Sequence, residues 1–182
     1  MSGRVRKAVA GDAQAVARIH VETWRATYAG VIPDAYLVQM DLARQFRMWR
    51  HTIRRSGGSY HVLVAETGDG GVIGFASCGA ARRAGLPRRT HYDGEIYTLY
   101  VALDHQGQGH GRALLDACLK RLRSDGRSAA VVWVLAANPA RFFYEAMGGE
   151  RVAERTEKFA GAELEELAFG WDLTAENVSA AR

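Results

Sequence analysis

The stretch Gln106-Gly107-Gln108-Gly109-His110-Gly111 is the most informative part of the sequence, because it joins a strand-like run to a helix with an apolar stripe. The strand-like run is Ile96-Tyr97-Thr98-Leu99-Tyr100-Val101, and the helix follows from Arg112. Glycine tolerates positive φ and lets a ligand approach the backbone. Consecutive amide N–H groups in such a turn bind anions, and the positive end of the helix dipole adds to the attraction. The stretch therefore predicts a phosphate-binding loop that needs no lysine.

Two common phosphate-binding loops do not fit this stretch. A dinucleotide-binding fingerprint needs a third glycine three residues after the second, where this chain has Arg112. A Walker A loop needs Gly-Lys-Ser/Thr, which the sequence lacks. What remains is Gln-x-x-Gly-x-Gly, formed by Gln106, Gly109 and Gly111. Taken alone, this pattern leaves a plain turn and a ligand site as equal alternatives.

A second block, downstream of the loop, decides between these alternatives. The buried-strand run 130–135 is followed by Asn138 and by a helix-like segment that contains Tyr144 and ends at Gly148-Gly149. Together the two blocks resemble the GNAT superfamily of N-acetyltransferases, in which Gln-x-x-Gly-x-Gly holds the acyl-CoA pyrophosphate. The usual ending of the second block is Gly-Phe, and this departure concerns only the start of the next strand.

The resemblance spans nearly the whole chain and implies one α/β domain over residues 1–182. Its sheet is expected to be mixed, mostly antiparallel and splayed at the middle, with helices on both faces. The implied activity is transfer of an acetyl group from acetyl-CoA to a primary amine by direct attack in a ternary complex. The resemblance leaves open whether the acceptor is a small molecule or a peptide and whether the protein forms a homodimer. The alternative is a CoA-binding regulatory domain without turnover.

The resemblance also implies which residues hold the cosubstrate. The predicted cofactor-binding residues are Leu99, Tyr100, Val101, Gln106, Gly107, Gln108, Gly109, His110, Gly111, Arg112, Asn138 and Tyr144. The loop amides would hold the pyrophosphate with the Gln106 side chain, and the backbone of Leu99 and Val101 would pair with the pantetheine arm. A strand N–H near Tyr100 or Val101 would stabilise the oxyanion.

Two side chains are predicted to be catalytic. Tyr144 matches the family tyrosine that donates to the leaving thiolate. Glu95 is the predicted general base, because alternation along the strand places it on one face with Tyr97, Leu99 and Val101. An equal alternative makes Glu95 a solvated residue at the start of a strand. Asp93, His91 and Tyr97 are reserve candidates for the base.

The acceptor pocket is less clearly marked. The segment from Trp24 to Pro33 looks like the Trp-x-x-x-Tyr-x-Gly-x-x-Pro start of a subgroup of the family, so Trp24 and Tyr28 either line the pocket or pack in the core. The basic residues of the loop before the central strand either favour an acceptor with a carboxylate or are simply solvated. They are Arg82, Arg83, Arg88 and Arg89.

Composition limits the other classes of function. The 182 residues carry a net charge of +4 and a pI of about 9.3, which allows a nucleic-acid binder but offers no stacking platform for one. We expect no membrane span, no signal peptide and a cytoplasmic location. Cys78 and Cys118 are expected to be buried thiols, and no spacing of histidine and cysteine indicates a metal site.

Periodicity predicts the remaining elements. Strands are expected at residues 5–9, 61–65, 72–78, 95–101, 131–135, 150–159 and 163–171. Helices are expected after Asp12 as N-cap, at residues 41–53, after the glycine-rich loop and at residues 140–147. Residues 79–92 are expected to form a loop, and the tail from Thr174 is expected to be disordered.

Overall fold

The computed structural model describes residues 4–82, 84–86 and 90–174. Its strands are β1 (Arg4–Lys7), β2 (Tyr60–Glu66), β3 (Val72–Ala80), β4 (Gly94–Val101), β5 (Ala129–Leu135), β6 (Glu150–Phe159) and β7 (Ala162–Asp172). Its α-helices are α1 (Ala13–Thr27), α2 (Asp34–Val38), α3 (Leu42–Arg54), α4 (His110–Ser124) and α5 (Ala140–Ala146). The strands form one sheet in the order β1-β2-β3-β4-β5-β7-β6. The predicted mixed α/β fold is confirmed.

Helices cover both faces of the sheet, because each has one apolar stripe to bury. The stripe of α4 packs with Ile96 and Phe169 on one face. It consists of Leu114, Leu115, Cys118, Leu119 and Leu122, none of them more than 1% exposed. On the other face, α1 and α3 bury Ile19 and Trp49 against Phe75. Both cysteines are free and buried, as expected.

The centre of the sheet opens between β4 and β5. These two strands are parallel and share only three pairs, the last of which joins Ile96 to Val132. Beyond Ile96, β4 stays paired with β3, and β5 stays paired with β7 up to Leu135. Residues 97–101 of β4 therefore face a gap rather than β5, and the predicted splay is confirmed.

A β-bulge at Tyr97 changes which side chains share a face of β4. Thr98 pairs with Ser77 and Ile96 pairs with Cys78, so Tyr97 is the extra residue. Ile96, Leu99 and Val101 all pack in the core under α4, whereas Tyr100 packs on the α1 and α3 face. The prediction that Glu95 and Tyr97 share a face with Leu99 and Val101 is therefore wrong, since strict alternation does not hold across a bulge.

Two further predictions need correction. Asp12 precedes α1 but makes no cap bond to it; its carboxylate accepts from the backbone N–H of Val9 at 2.7 Å and pairs with Arg6. The short helix α2 was not among the predicted elements; it begins directly after Pro33, and proline is well suited to the start of a helix. The predicted disordered tail lies, apart from Thr174, outside the described residues.

Candidate active site

The glycine-rich loop meets the start of α4 with its backbone exposed. Gly107 has φ +72° and Gly109 has φ +85°, a left-handed conformation in which other residues are strained. No atom lies within 4 Å of where a Cβ of either glycine would stand. The helix begins at His110, and Ala113 is the first residue whose N–H bonds back into it, to the carbonyl of Gly109 at 3.1 Å.

The amides of this loop are open. Across the described ranges, the six N–H groups of residues 107–112 have no hydrogen-bond acceptor. Four of these groups belong to the cap and first turn of α4, where an α-helix leaves its N–H groups unsatisfied and its dipole is positive. Such an arrangement fits a diphosphate, which offers many acceptor oxygens and negative charge.

The polar side chains of the loop shape it rather than fill it. Gln106 donates from Nε2 to the carbonyl of Val101 at 3.0 Å, and Gln108 donates in the same way to Asp104 at 3.0 Å. His110 is buried, and its Nδ1 has no partner within the described chain. These contacts tie the loop to the end of β4, so a direct bond from Gln106 to a phosphate stays a prediction.

The backbone of β4 offers a second row of groups toward the gap. The N–H of Ala102 bonds to the carbonyl of Ile73 at 2.8 Å, on the β3 side. Because alternate residues of an antiparallel strand turn their N–H and C=O groups to opposite sides, those of Leu99 and Val101 turn away from β3. This placement agrees with the predicted pairing to a pantetheine arm, a role that stays a prediction.

Tyr144 lies under the gap on the α4 face. Its ring is buried against Phe143, Phe169 and Trp171, and its hydroxyl makes no hydrogen bond to the described residues. Burial raises the pKa of Tyr144 well above its ordinary value. The phenol therefore keeps its hydrogen at neutral pH, as a donor to a leaving sulfur must.

Asn138 is committed to contacts within the protein. Its Oδ1 accepts from the N–H of Ala140 at 2.9 Å, and its Nδ2 donates to the hydroxyl of Tyr28 at 3.0 Å. Asn138 thereby starts α5 and links it to the end of α1. Both polar ends of the amide already have partners within the protein, and its contact with the cosubstrate stays a prediction.

Glu95 is not the solvated residue that one alternative described. Its side chain is buried, and Arg82 binds both carboxylate oxygens: the backbone N–H at 2.7 Å, Nη2 at 2.5 Å and Nε at 3.1 Å. The bond to Glu95 raises the pKa of Arg82, which stays charged. The side chain of Arg82 is 66% exposed, so a rotation of Arg82 into solvent would free the Oε1 carboxylate oxygen. Glu95 as general base stays a prediction.

Two of the reserve candidates for the base, Asp93 and Tyr97, make hydrogen bonds within the protein, whereas the ring of His91 packs beside that of Tyr92 and its role as a base stays a prediction. Asp93 accepts from the N–H groups of Ser128 and Ala129 at about the start of β5. Burial alone would raise its pKa, but these backbone bonds outweigh it and the pKa is lowered. Burial, followed by the charge of Glu95, raises the pKa of Tyr97 to about 12. Neither group is suited to accept a proton near pH 7.

An aromatic cluster covers the gap on the α1 side. Trp24 contacts Tyr28, Tyr36 and Phe159, with ring centroids 5.1, 6.2 and 6.1 Å away. Tyr36 comes from the unpredicted helix α2 and Phe159 from the end of β6, so sequence reasoning missed both. Trp24 and Tyr28 thus pack in this cluster, and a role for either in the acceptor pocket stays a prediction. Of the four arginines of the basic loop, Arg82 is paired, and Arg83, Arg88 and Arg89 lie outside the described residues.

The last hairpin anchors the basic loop, a contact that no sequence pattern predicted. Arg155 of β6 stacks over the ring of Trp133 at 4.1 Å and bonds to Glu166 at 2.7 Å. It also donates to the carbonyl of Ala84 at 2.8 Å. Ala84 of the loop, β5 and the hairpin therefore meet at Arg155.

Two other features are absent from the part of the chain that the structure describes. No three histidine, cysteine, aspartate or glutamate side chains there are grouped so that they could hold a metal ion. None of its helices has the length and apolar character that crossing a bilayer requires.

A family model and a bacterial relative that match this chain are both described as acetyltransferases. Residues 15–148 match the family described as the acetyltransferase (GNAT) family. An uncharacterised N-acetyltransferase of Bacillus subtilis, YuaI, is 38% identical over 172 residues, which cover 94% of each chain. Both matches include the glycine-rich loop.

Solved structures show the same fold at lower identity. A PaiA N-acetyltransferase of Thermoplasma acidophilum, crystallised with coenzyme A, superposes with a TM-score of 0.69 at 20% identity, over 94% of this chain and 99% of that one. A phosphinothricin acetyltransferase of Sinorhizobium meliloti, crystallised with acetyl-CoA, superposes with a TM-score of 0.66 at 22% identity, over 94% of this chain and 89% of that one.

Proposed function

Because the chain belongs to the GNAT acetyltransferase family and is an acetyl-CoA-dependent acyltransferase, we propose that it acetylates a primary amine by direct attack in a ternary complex. The acceptor is a small-molecule or peptide amine, and one domain over residues 1–182 carries the activity. The single observation that carries the proposal is the row of six open amides at residues 107–112.

The proposed binding mode uses backbone groups for the cosubstrate. The amides of the loop hold the diphosphate, and the helix dipole of α4 adds to the attraction. The N–H and C=O groups of Leu99 and Val101 that turn away from β3 bind the pantetheine arm of the cosubstrate in the gap, as they would bind the backbone of an added strand. Gln106 keeps the loop on the end of β4 through its bond to Val101.

The proposed chemistry needs a donor on one face of the gap and a base on the other. When bound, acetyl-CoA supplies an activated acetyl thioester. The hydroxyl of Tyr144, on the α4 face, gives its proton to the departing sulfur. Glu95, on the opposite face, takes a proton from the incoming ammonium directly or through water once Arg82 releases an oxygen. A backbone N–H near Tyr100 or Val101 donates to the carbonyl oxygen.

Titration calorimetry with CoA and a thiol-release assay with a panel of amines test the proposal. We expect saturable CoA binding and a release of free thiol that depends on the presence of an amine. The product should be about 42 Da heavier than the acceptor, because an acetyl group replaces one hydrogen of the amine. Binding without thiol release from any amine would instead support the regulatory alternative. Absence of CoA binding would refute the proposal.

A further inference from the structure

The solvent side of α3 carries a dense group of basic side chains, all of them exposed. This group is called the arginine face below and consists of Arg44, Arg47, Arg50, His51, Arg54 and Arg55. All of its members except Arg44 line one open depression of about 500 Å³. Because the five arginines exceed the net charge of +4 for the whole chain, the remaining residues carry no excess of positive charge.

The arginines of this face have no acidic partners within the described ranges. Elsewhere in those ranges arginines do bond to carboxylates, namely Arg6, Arg82, Arg121, Arg151 and Arg155. Arg47, Arg50 and Arg54 are three and four residues apart, so their charges repel one another along the helix. The helix dipole favours a positive charge only in the last turn, where Arg54 lies. The stability of α3 therefore does not explain the other arginines.

The opposite side of α3 fixes the helix to the protein. Trp49 and Ile53 are 3% and 4% exposed, and the ring of Trp49 lies 4.9 Å from that of Phe75. The indole N–H of Trp49 donates to Nδ1 of His20 at 3.0 Å, and Asp41 caps the first turn of α3. The arginine face is thus held on a rigid support, and a partner does not have to order its backbone.

The arrangement of the charges fits a groove with phosphates on both sides. At 3.6 residues per turn, the face covers about 140° of the helix circumference, from Arg50 through Arg47 to Arg55. The major groove of DNA is about 12 Å wide, close to the helix diameter of about 10–12 Å. The two edges of the face can therefore each reach one phosphate backbone, whereas an extended acidic peptide would need only one row of charges.

The aromatic residues of α3 exclude one kind of nucleic acid from this fit. Single strands bind where their bases stack on exposed rings. Phe46 and Trp49, the two rings of α3, both pack with the core instead. A duplex needs no stacking, because its phosphates accept two hydrogen bonds from each guanidinium.

We propose that the arginine face is a docking surface for double-stranded DNA, which binds through its phosphates and without sequence specificity. This interaction goes beyond the proposed acetyl transfer, because it uses none of the residues of the candidate active site. Each arginine that neutralises a phosphate releases a counterion, so the affinity must fall steeply as the salt concentration rises.

Two double variants with the same change of net charge test the surface. Arg50→Glu/Arg54→Glu reverses two charges of the arginine face. Lys120→Glu/Arg123→Glu is the matched control, because it reverses two exposed charges on a different helix, α4. Circular dichroism and melting temperatures show whether each variant folds.

The readout is the fluorescence anisotropy of a labelled DNA duplex of about 20 base pairs, long enough to cover α3. Between about 50 and 200 mM KCl we expect the affinity of the wild type to fall by about 40- to 500-fold, as for three to five phosphate contacts. At the lower salt concentration, Arg50→Glu/Arg54→Glu should bind at least about 30-fold more weakly, and the control should stay within about fivefold of the wild type.

Several results would overturn the proposal. They are the absence of duplex binding at low salt, equal losses in the two double variants, and tighter binding to the single strand, to double-stranded RNA or to polyglutamate. If Arg50→Glu/Arg54→Glu does not fold, Arg50→Gln/Arg54→Gln decides, and wild-type affinity in that variant also refutes the role. Because the duplex is titrated without acetyl-CoA or an amine, none of these results bears on the proposed acetyl transfer.

Discussion

The two ends of α4 carry similar glycine turns but end in opposite ways. At the C-terminal end, Gly126 has φ +78° and closes the helix on itself. Its N–H bonds to the carbonyl of Arg123, and the N–H of Arg127 bonds to that of Leu122, both at 3.0 Å. This is a Schellman motif, which satisfies the last carbonyls of a helix. At the N-terminal end, Gly109 has φ +85°, and the neighbouring amides bond to no acceptor among the described residues.

The hydrogen bonds at its two ends show which end of α4 is suited to bind a ligand. Both glycines have open space where a Cβ would stand, so local geometry alone does not separate them. The two ends differ in their hydrogen bonds. The chain itself satisfies the carbonyl groups at the C-terminal end, whereas the N–H groups at the N-terminal end need acceptors from another molecule.

The largest effect is expected from Gly109→Val. A β-branched residue is strained at φ +85°, and the loop must move to relieve it, which disperses the amides. We expect CoA affinity measured by calorimetry to fall by about 100-fold or more. Gly126→Val, with the same strain at the other end of α4, should lower the melting temperature similarly and leave CoA affinity within about twofold. Equal losses of affinity would mean that α4 acts only through its stability.

Tyr144→Phe tests whether a proton donor lies near the N-terminal end of α4. The substitution keeps the ring packed against Phe169 and removes only the hydroxyl. We expect kcat to fall by about 10- to 10³-fold with little change in the KM for acetyl-CoA, because proton donation is lost and binding is not. A large rise in KM at unchanged kcat would instead assign Tyr144 to binding.

Glu95→Gln and Arg82→Ala together separate a base from a structural ion pair. If Glu95 accepts the proton, Glu95→Gln lowers kcat by about 10- to 10²-fold, while Arg82→Ala, which frees the carboxylate, keeps kcat within about threefold. The measurement is steady-state turnover at pH 7 with melting temperatures alongside. Similar losses in the two variants would show that the pair only holds the loop before β4.

The smallest effect is expected from Asp125→Asn at the completed end of α4. Asp125 is 15% exposed and bonds to Arg121 at 2.9 Å and to His61 at 2.6 Å. We expect the free energy of unfolding, from urea denaturation, to fall by about 1 kcal/mol, as for other charged hydrogen bonds in part-exposed positions. CoA affinity should stay within about twofold. A tenfold loss of affinity would contradict the division of the helix into a structural end and a ligand end.

Much of the fold was predictable because local signals agreed with the tertiary structure. The apolar stripe of α4 and the strands β2 and β3 lie where periodicity predicts them. The glycine-rich loop was equally readable, since its positive φ values need glycine. α2 was missed because five residues are too few to show a helical period.

The side chains around the gap were harder to predict, for physical reasons. The bulge at Tyr97 depends on pairing with β3 and leaves no mark in the sequence of β4. Arg82 and Glu95 are 13 residues apart, and Asn138 and Tyr28 are 110 apart. Only the folded chain brings such partners together, so a residue type at a strand start could not show whether it was solvated or paired.

The central claim is that the amides of residues 107–112 hold a diphosphate. A ¹⁵N–¹H correlation spectrum recorded during titration with CoA tests it most directly, because each amide reports its own hydrogen bond. We predict that the resonances of residues 107–112 shift downfield on saturation, while those of residues 125–127 at the other end of α4 stay in place. Saturable binding that leaves the six loop amides unmoved would contradict the account.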